Sequence, residues 1–301
     1  MANLSQQMAQ EQLKEITSNT VTTKQARPVD VNKQAAVSYN AELQKLVKAV
    51  KGDIDNDIVS VLRSLEHQYT GDSIVNDSWV DIIIAAFEKI AAKWTSFGFL
   101  EAAKQSSKKF IKAIDDRNRN KYAQSIKVVG VTGLDVFGDS PALQDILSSS
   151  IAENVQLIKT IPTQYLSQVQ TIVMTNMRSG LRPSSIVKQL STQYGVSQRR
   201  AAVIARDQTS KANGMLSKQR QEDTGFEYFK WVDSDDVSVR RTHEKIANDD
   251  IGYGKGVYKW SEPPKNDKGE QIIPGSEINC RCISAPVTSK QVKENKQKAK
   301  K

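Results

Sequence analysis

Both cysteines of the chain, Cys280 and Cys282, lie in one C-terminal stretch with His243, one of only two histidines. Thiolate sulfur and imidazole nitrogen are the donors that zinc takes, and Asp236 could add a carboxylate. In an extended segment, residues two apart project to the same face, so the two sulfurs can face one partner. Their Cα atoms would then stand about 6.6 Å apart with poor bond direction, which disfavours a mutual disulfide. Ordinary zinc sites space their cysteines more widely than Cys-x-Cys. Zinc held by His243, Cys280, Cys282 and Asp236 and a pair of free thiols filling a small core are therefore both open readings.

Asp236, Arg240 and His243 follow one another at steps of four and three, the spacing of neighbours on a helix face. With Asp233, Ser234 or Asp235 as a cap, a helix beginning near Asp236 is expected, carrying an Asp236–Arg240 pair beside His243. Such a pair ordinarily pins a helix to its surroundings. Catalysis by His243 would need a substrate pocket that the sequence does not display, so no catalytic residue is assigned. Asp233, Asp235, Asp236, Asp249 and Asp250 are the acids a metal-dependent nuclease would use, although Asp clusters in turns more commonly cap them. The run Gly252-Tyr253-Gly254-Lys255-Gly256 precedes a strand-like segment rather than a helix, and reads as a turn rather than a phosphate loop.

The elements that must position these groups are mostly helical. Leu43, Leu46, Val47, Val50, Ile54, Ile58, Val61, Leu62 and Leu65 repeat at three and four residues, as do Trp79, Ile82, Ile83, Phe87, Ile90 and Trp94. A break is expected at Gly52 and another at Phe97-Gly98-Phe99. The next helix, over about Glu101–Ile126, is studded with Lys104, Lys108, Lys109, Lys112, Arg117 and Arg119; a solvated face is the ordinary reading and nucleic-acid contact the other. Ser140-Pro141 reads as a helix start, Pro162 as a stop, and Gly180 and Gly195 as further ends. After Gly225 the period becomes extended. Strands are expected over 226–232, 257–260, 272–273 and 278–283, with a type II turn at Pro274-Gly275. The fold class is mainly α, bundle-like in its N-terminal and central parts, with a small α/β C-terminal module. The expected divisions are a mobile polar arm over 1–34, helical parts over 35–137 and 138–224, the module over 225–287 and a basic tail over 288–301.

The 301 residues allow roughly two domains. The tail holds Lys290, Lys293, Lys296, Lys298, Lys300 and Lys301 against Glu294, so it carries more than half of the net charge of +9. It is expected to be disordered and to touch DNA phosphates without sequence preference. The start lacks the basic and apolar regions of a secretion signal, which with two cysteines suggests a reducing cytoplasm. The most apolar window, Trp79–Leu100, is interrupted by Asp81, Glu88, Lys89 and Lys93, and is expected in the core rather than in a membrane. Its Trp79, Phe87 and Trp94 are also candidate anchors for a partner.

The C-terminal stretch resembles the Mu-F-type phage head morphogenesis proteins, a family of minor head proteins. The residues that carry the likeness are Trp231, Asp236, Val239-Arg240, His243, Pro263-Pro264, Pro274-Gly275 and Asn279-Cys280-Arg281-Cys282. It extends through Ala205–Lys211 and Arg220–Gly225, and loosely to Ile158–Pro162. The resemblance implies a structural, non-enzymatic component of a bacteriophage virion that acts in capsid assembly near the portal and in genome packaging or delivery. Its partners would be portal and head proteins and packaged DNA, and its location the virion head, after assembly in the host cytoplasm. A metal-dependent nuclease and a non-specific DNA-binding accessory protein are the alternatives.

Overall fold

The computed structural model describes residues 4–18, 24–66, 69–70, 73–74, 78–132 and 140–299. Part of the expected arm (1–3 and 19–23), most of the connector before Ser140, and Lys300 and Lys301 lie outside them. The described residues are mostly helical, with a three-stranded antiparallel sheet near the C-terminus, as the fold-class expectation has it.

Helix α1 (Leu4–Ser18) falls within the segment expected as a mobile polar arm, yet it buries Ala9 and Leu13 against Tyr122, Ile126, Val129 and Phe226. Its Gln10 also donates to the Asp223 carbonyl at 3.1 Å. Composition hid this because a mostly polar helix can dock through a few apolar residues, here Ala9, Leu13 and Ile16, that share one groove. Helix α2 (Lys33–Ile54) is capped by Asn32, whose Oδ1 accepts the Ala35 N–H at 3.0 Å. It passes through Gly52 without a break, and a π-helical turn (Asp55–Val59) leads into α3 (Ser60–Leu65). The hairpin β1 (Tyr69–Thr70) and β2 (Ser73–Ile74) precedes α4 (Ser78–Lys93), and α5 (Phe97–Lys127) starts at the expected Phe97-Gly98-Phe99 break.

Ser140 Oγ accepts the Leu143 N–H at 3.1 Å and starts α6 (Pro141–Arg178). This helix runs through Pro162, which was expected to stop it. Proline costs about 3 kcal/mol in a helix interior. Here Ile158, Ile161, Tyr165, Leu166, Val169 and Val173 are buried on both sides of it, and each such side chain gains about 1.5–3 kcal/mol from burial. Packing therefore wins. Helix α7 (Pro183–Asp223) likewise continues through Gly195, with Leu190 and Ala201 buried to either side.

Beyond Gly225 come β3 (Tyr228–Val232), α8 (Arg241–Asn248), β4 (Val257–Lys259), β5 (Ile283–Val287) and α9 (Ser289–Lys298). The sheet order is β4-β3-β5, with Phe229 opposite both Tyr258 and Pro286. Alternation along β3 turns Phe229 and Trp231 to one face. There Phe229 stacks on Trp260 at 3.8 Å, over a core shared with Ile246, Tyr258, Ile272, Cys280 and Cys282. Residues 272–273 and 278–282, expected as strands, are turns and extended chain leading into β5. The tail is a helix over 289–298 rather than a disordered strip, because Thr288 and Gln291 form a reciprocal cap and Val292 is buried against Val257 and Val287.

The chain forms two units. One comprises Met1–Ala35, Phe110–Ser150 and Arg206–Lys301; the other comprises Ala36–Lys109 and Ile151–Ala205. These limits cross those drawn from the sequence, because α5, α6 and α7 each contribute residues to both units. In the second unit Trp79 and Phe87 are core residues, and Trp94 donates through Nε1 to Asp53 at 2.9 Å, so the expected partner anchors are largely used internally. Several basic residues of α5 are matched by acids: Lys109 meets Glu42 at 3.0 Å, Arg117 meets Asp30 at 2.7 Å, and Lys112 and Arg119 meet Asp116 at 3.0 and 3.2 Å. No described helix is long and apolar enough to cross a membrane.

Candidate functional site

The site is built by the loop between Pro274 and Cys282, held between α7 and α8. Pro274 and Gly275 form the expected turn: Ser276 N–H donates to the Ile273 carbonyl at 3.1 Å, with Gly275 at φ 89°. A Cβ on Gly275 would stand 2.5 Å from the Ser210 carbonyl oxygen, and one on Gly214 would stand 2.2 Å from that of Pro274. Only glycine lets loop and helix approach this closely. Asn279 takes the left-handed conformation, φ 59°, that asparagine tolerates. Its Oδ1 accepts from Arg206 at 2.5 and 3.2 Å, and its backbone N–H donates to Asp207 at 3.1 Å. The helical lead-in and the Asn-Cys-Arg-Cys run are thus one structure.

The chain then runs extended through Cys280, Arg281 and Cys282, which turns the two sulfurs to one side and Arg281 to the other. Opposite the sulfurs sits His243, on the first turns of α8. Its Nδ1 lies 3.6 Å from Cys280 Sγ and 3.5 Å from Cys282 Sγ. All three side chains are buried, and their donor atoms lie within 4.8 Å of one another. Both thiols are free. The other ring nitrogen, Nε2, is 2.7 Å from Glu277 Oε2, while Glu277 Oε1 accepts from Asn266 Nδ2 at 3.0 Å. Trp231 closes the site, its ring edge-on to His243 at 5.3 Å.

Charge is shared tightly here. The Cys282 side chain hydrogen-bonds to Cys280 and holds the Cys280 thiol well below its usual range, against the opposing effect of burial, with His243 helping. Cys282 is pushed up by the same bond and by burial. The bond to Cys280 raises His243, burial opposes, and Glu277 adds to the rise. Burial would raise Glu277, but hydrogen bonds from Asn266 and His243 outweigh it and hold the carboxyl low.

Asp236 does not join this group. Residues 236–239 form a turn, with Val239 N–H donating to the Asp236 carbonyl at 3.0 Å, and α8 begins only at Arg241. The Asp236 carboxylate caps Ser238 N–H at 2.9 Å and pairs with Arg281 at 2.6 Å. The Arg281 bond is the main cause that holds it low. The expected Asp236–Arg240 pair is thereby replaced: Arg240 reaches Glu277 at 3.6 Å and the Ile278 carbonyl. A short polar turn was the cheaper local solution, because Asp236 can bond its own backbone two residues on.

The sequence pattern pointed to His243, Cys280 and Cys282 but passed over Glu277 and Asn266. Glu277 is the lone carboxylate between Gln271 and Cys282, and a histidine facing two thiols needs a partner for its far nitrogen, so a signal was present. Asn266 gave none. Asp233 and Asp250 cap backbone N–H groups in their own turns, as at Asp235 (3.1 Å) and Gly252 (2.8 Å). Neither belongs to the described donor group around His243.

Comparison with known proteins falls on this same construction. The chain is 28% identical over 266 residues to an uncharacterized protein of Haemophilus influenzae (strain ATCC 51907 / DSM 11121 / KW20 / Rd), covering 87% of this chain and 55% of that one. It thus spans about half the length of the curated relative it matches. No solved structure matches. Residues 167–285 match the family described as Phage Mu protein F like protein, a stretch that holds the lead-in helix α7, Trp231, His243 and the Cys-Arg-Cys loop. Over that stretch the chain is similar to the Phage Mu protein F like family.

Proposed function

We propose that the protein is a minor structural component of a phage head, acting in head assembly near the portal, with a further part in packaging or delivery of the genome. The observation that carries this reading is how the residues of the family stretch are used. Arg206, Asp207 and Gly214 grip the loop at Asn279 and Pro274, and Asp236 grips Arg281. His243 and both cysteines are buried. The cleft beside α8, lined by Arg241, Lys245, Asp249, Tyr258 and Asp267 among others, does not include them. These side chains build a rigid part rather than present reactive groups to a substrate. Mass spectrometry of purified heads, with pull-downs on portal protein, tests the reading. Recovery in heads and on portal is expected; absence from both overturns it, and metal-dependent nuclease activity of the purified chain would put an enzyme in its place.

The same proposal assigns contact with packaged DNA to α9. Lys293, Lys296 and Lys298 are exposed on it, and Lys296 also covers the Tyr253 ring at 5.0 Å. Lys290 lies on the same helix, and Lys300 and Lys301 follow outside the described residues. Phosphate neutralisation steepens the salt dependence of binding by nearly one unit of log–log slope per contact. Truncation after Ser289 is expected to flatten that slope, and an unchanged slope removes α9 from DNA contact.

A further inference from the structure

We propose that His243, Cys280 and Cys282 bind one zinc ion, with water as the fourth ligand, and that the ion clamps the Pro274–Cys282 loop to α8. The donor chemistry is that of zinc: two sulfurs and an imidazole nitrogen, of borderline softness and buried together. Spacing supports it independently. With zinc bonds of about 2.3 Å to sulfur and about 2.0 Å to nitrogen, tetrahedral geometry puts nitrogen and sulfur about 3.5 Å apart. His243 Nδ1 stands 3.6 and 3.5 Å from the two sulfurs.

A hydrogen bond could account for one such distance, but one ring nitrogen offers one site and here faces two sulfurs equally. Glu277 supplies the second argument. It takes Nε2 at 2.7 Å and is itself fixed by Asn266 at 3.0 Å. A proton held on Nε2 for the carboxylate leaves the Nδ1 lone pair facing the sulfurs, the arrangement that metal-ligating histidines show. Among the described residues no fourth Cys, His, Asp or Glu donor joins the group, hence the assignment of water. Asp236 is excluded by its bond to Arg281. The inference stands apart from the head-protein reading, since the clamp would stiffen the loop in any role.

The full chain, purified under reducing conditions without chelator, is to be assayed for metal and then titrated with cobalt. About one zinc per chain, or a thiolate-to-cobalt charge-transfer band that saturates at one equivalent, is expected. Neither zinc nor a band overturns the proposal. Cys280→Ser and Cys282→Ser should each abolish the band, whereas Asp236→Asn should keep it; an undiminished band in either folded serine variant also overturns the assignment. Because a serine variant can fail to fold, Glu277→Gln is the second probe. It should retain metal with affinity lower by about 10- to 100-fold, and unchanged affinity would remove Glu277 from the site.

Discussion

Where α2 and α4 bury Leu43, Val47, Ile83 and Ile90, the other unit buries Arg220, Asn118, Asn213, Ser217 and Thr224. The α2 and α4 residues form apolar stripes that repeat every three or four positions, with the buried Tyr39–Asn154 bond at 3.0 Å in the same unit. Beside its apolar clusters, the other unit carries a chain of bonds: Asn118 donates to Asn213 Oδ1 at 2.9 Å and to Ser217 at 2.8 Å, and Asn213 donates to the Val29 carbonyl at 3.1 Å. Arg220 donates to Asn118 at 2.5 Å and pairs with Asp115, and Tyr122 meets Thr224 at 2.5 Å. Such a network sets the register of α5, α7 and the segment before α2 to single residues, because any slip leaves buried polar atoms unpaired. This is the unit in which the loop of the candidate site must be placed to within fractions of an ångström.

The largest expected effect follows from breaking that network at its charge. Arg220→Met keeps side-chain length but strips Asp115 and Asn118 of their partner, and a broken buried pair costs on the order of 3–5 kcal/mol. Asp115 is 17% exposed, so water can partly replace the lost partner and about 3 kcal/mol is expected in urea unfolding. A cost under about 1 kcal/mol would mean that the polar network does not hold this interior. The matching change in the apolar unit is Leu62→Met, at a fully buried position of α3. It conserves volume and should cost less than about 1.5 kcal/mol. Equal costs for the two methionines would erase the distinction.

The same distinction explains what the sequence disclosed. Helical stripes such as Trp79, Ile83, Phe87 and Ile90 were legible because periodicity reports apolar burial directly. The Asn118–Asn213–Arg220 network was not, since its members look like surface residues and meet only through tertiary structure. Pro162 and Gly195 misled for a related reason: local propensity is worth a few kcal/mol, and buried neighbours on both sides outweigh it. At the site, the family pattern singled out His243, Cys280 and Cys282. The pairing Asp236–Arg240 failed because helix spacing was applied to a turn. Glu277 escaped notice because its role depends on which way the His243 ring faces, which no spacing rule encodes.

The smallest effect concerns the surface of the apolar unit, where the comparison predicts that charge matters little. Glu42 accepts from Ser106 at 2.7 Å and meets Lys109 at 3.0 Å, with its side chain 34% exposed. Burial alone would raise its pKa, but the bonds from Ser106 and Lys109 outweigh burial and hold the carboxyl below its ordinary value. For an acid whose folded-state pKa is depressed, the contribution to stability is fully present above the unfolded-state pKa, about 4.3. It is lost as pH falls through the folded-state pKa, because folded and unfolded forms then bind the proton equally. Half-screened pairs of this kind are worth no more than about 1 kcal/mol. Glu42→Gln should therefore lower stability by less than that at neutral pH, and the gap between variant and parent should close as the solution is acidified below about pH 4. Urea unfolding of both proteins at neutral and acid pH measures it. A gap that persists unchanged in acid would assign the loss to the shape of the Ser106 contact rather than to charge, and a gap of several kcal/mol would mean that directional polar bonding governs this unit as well.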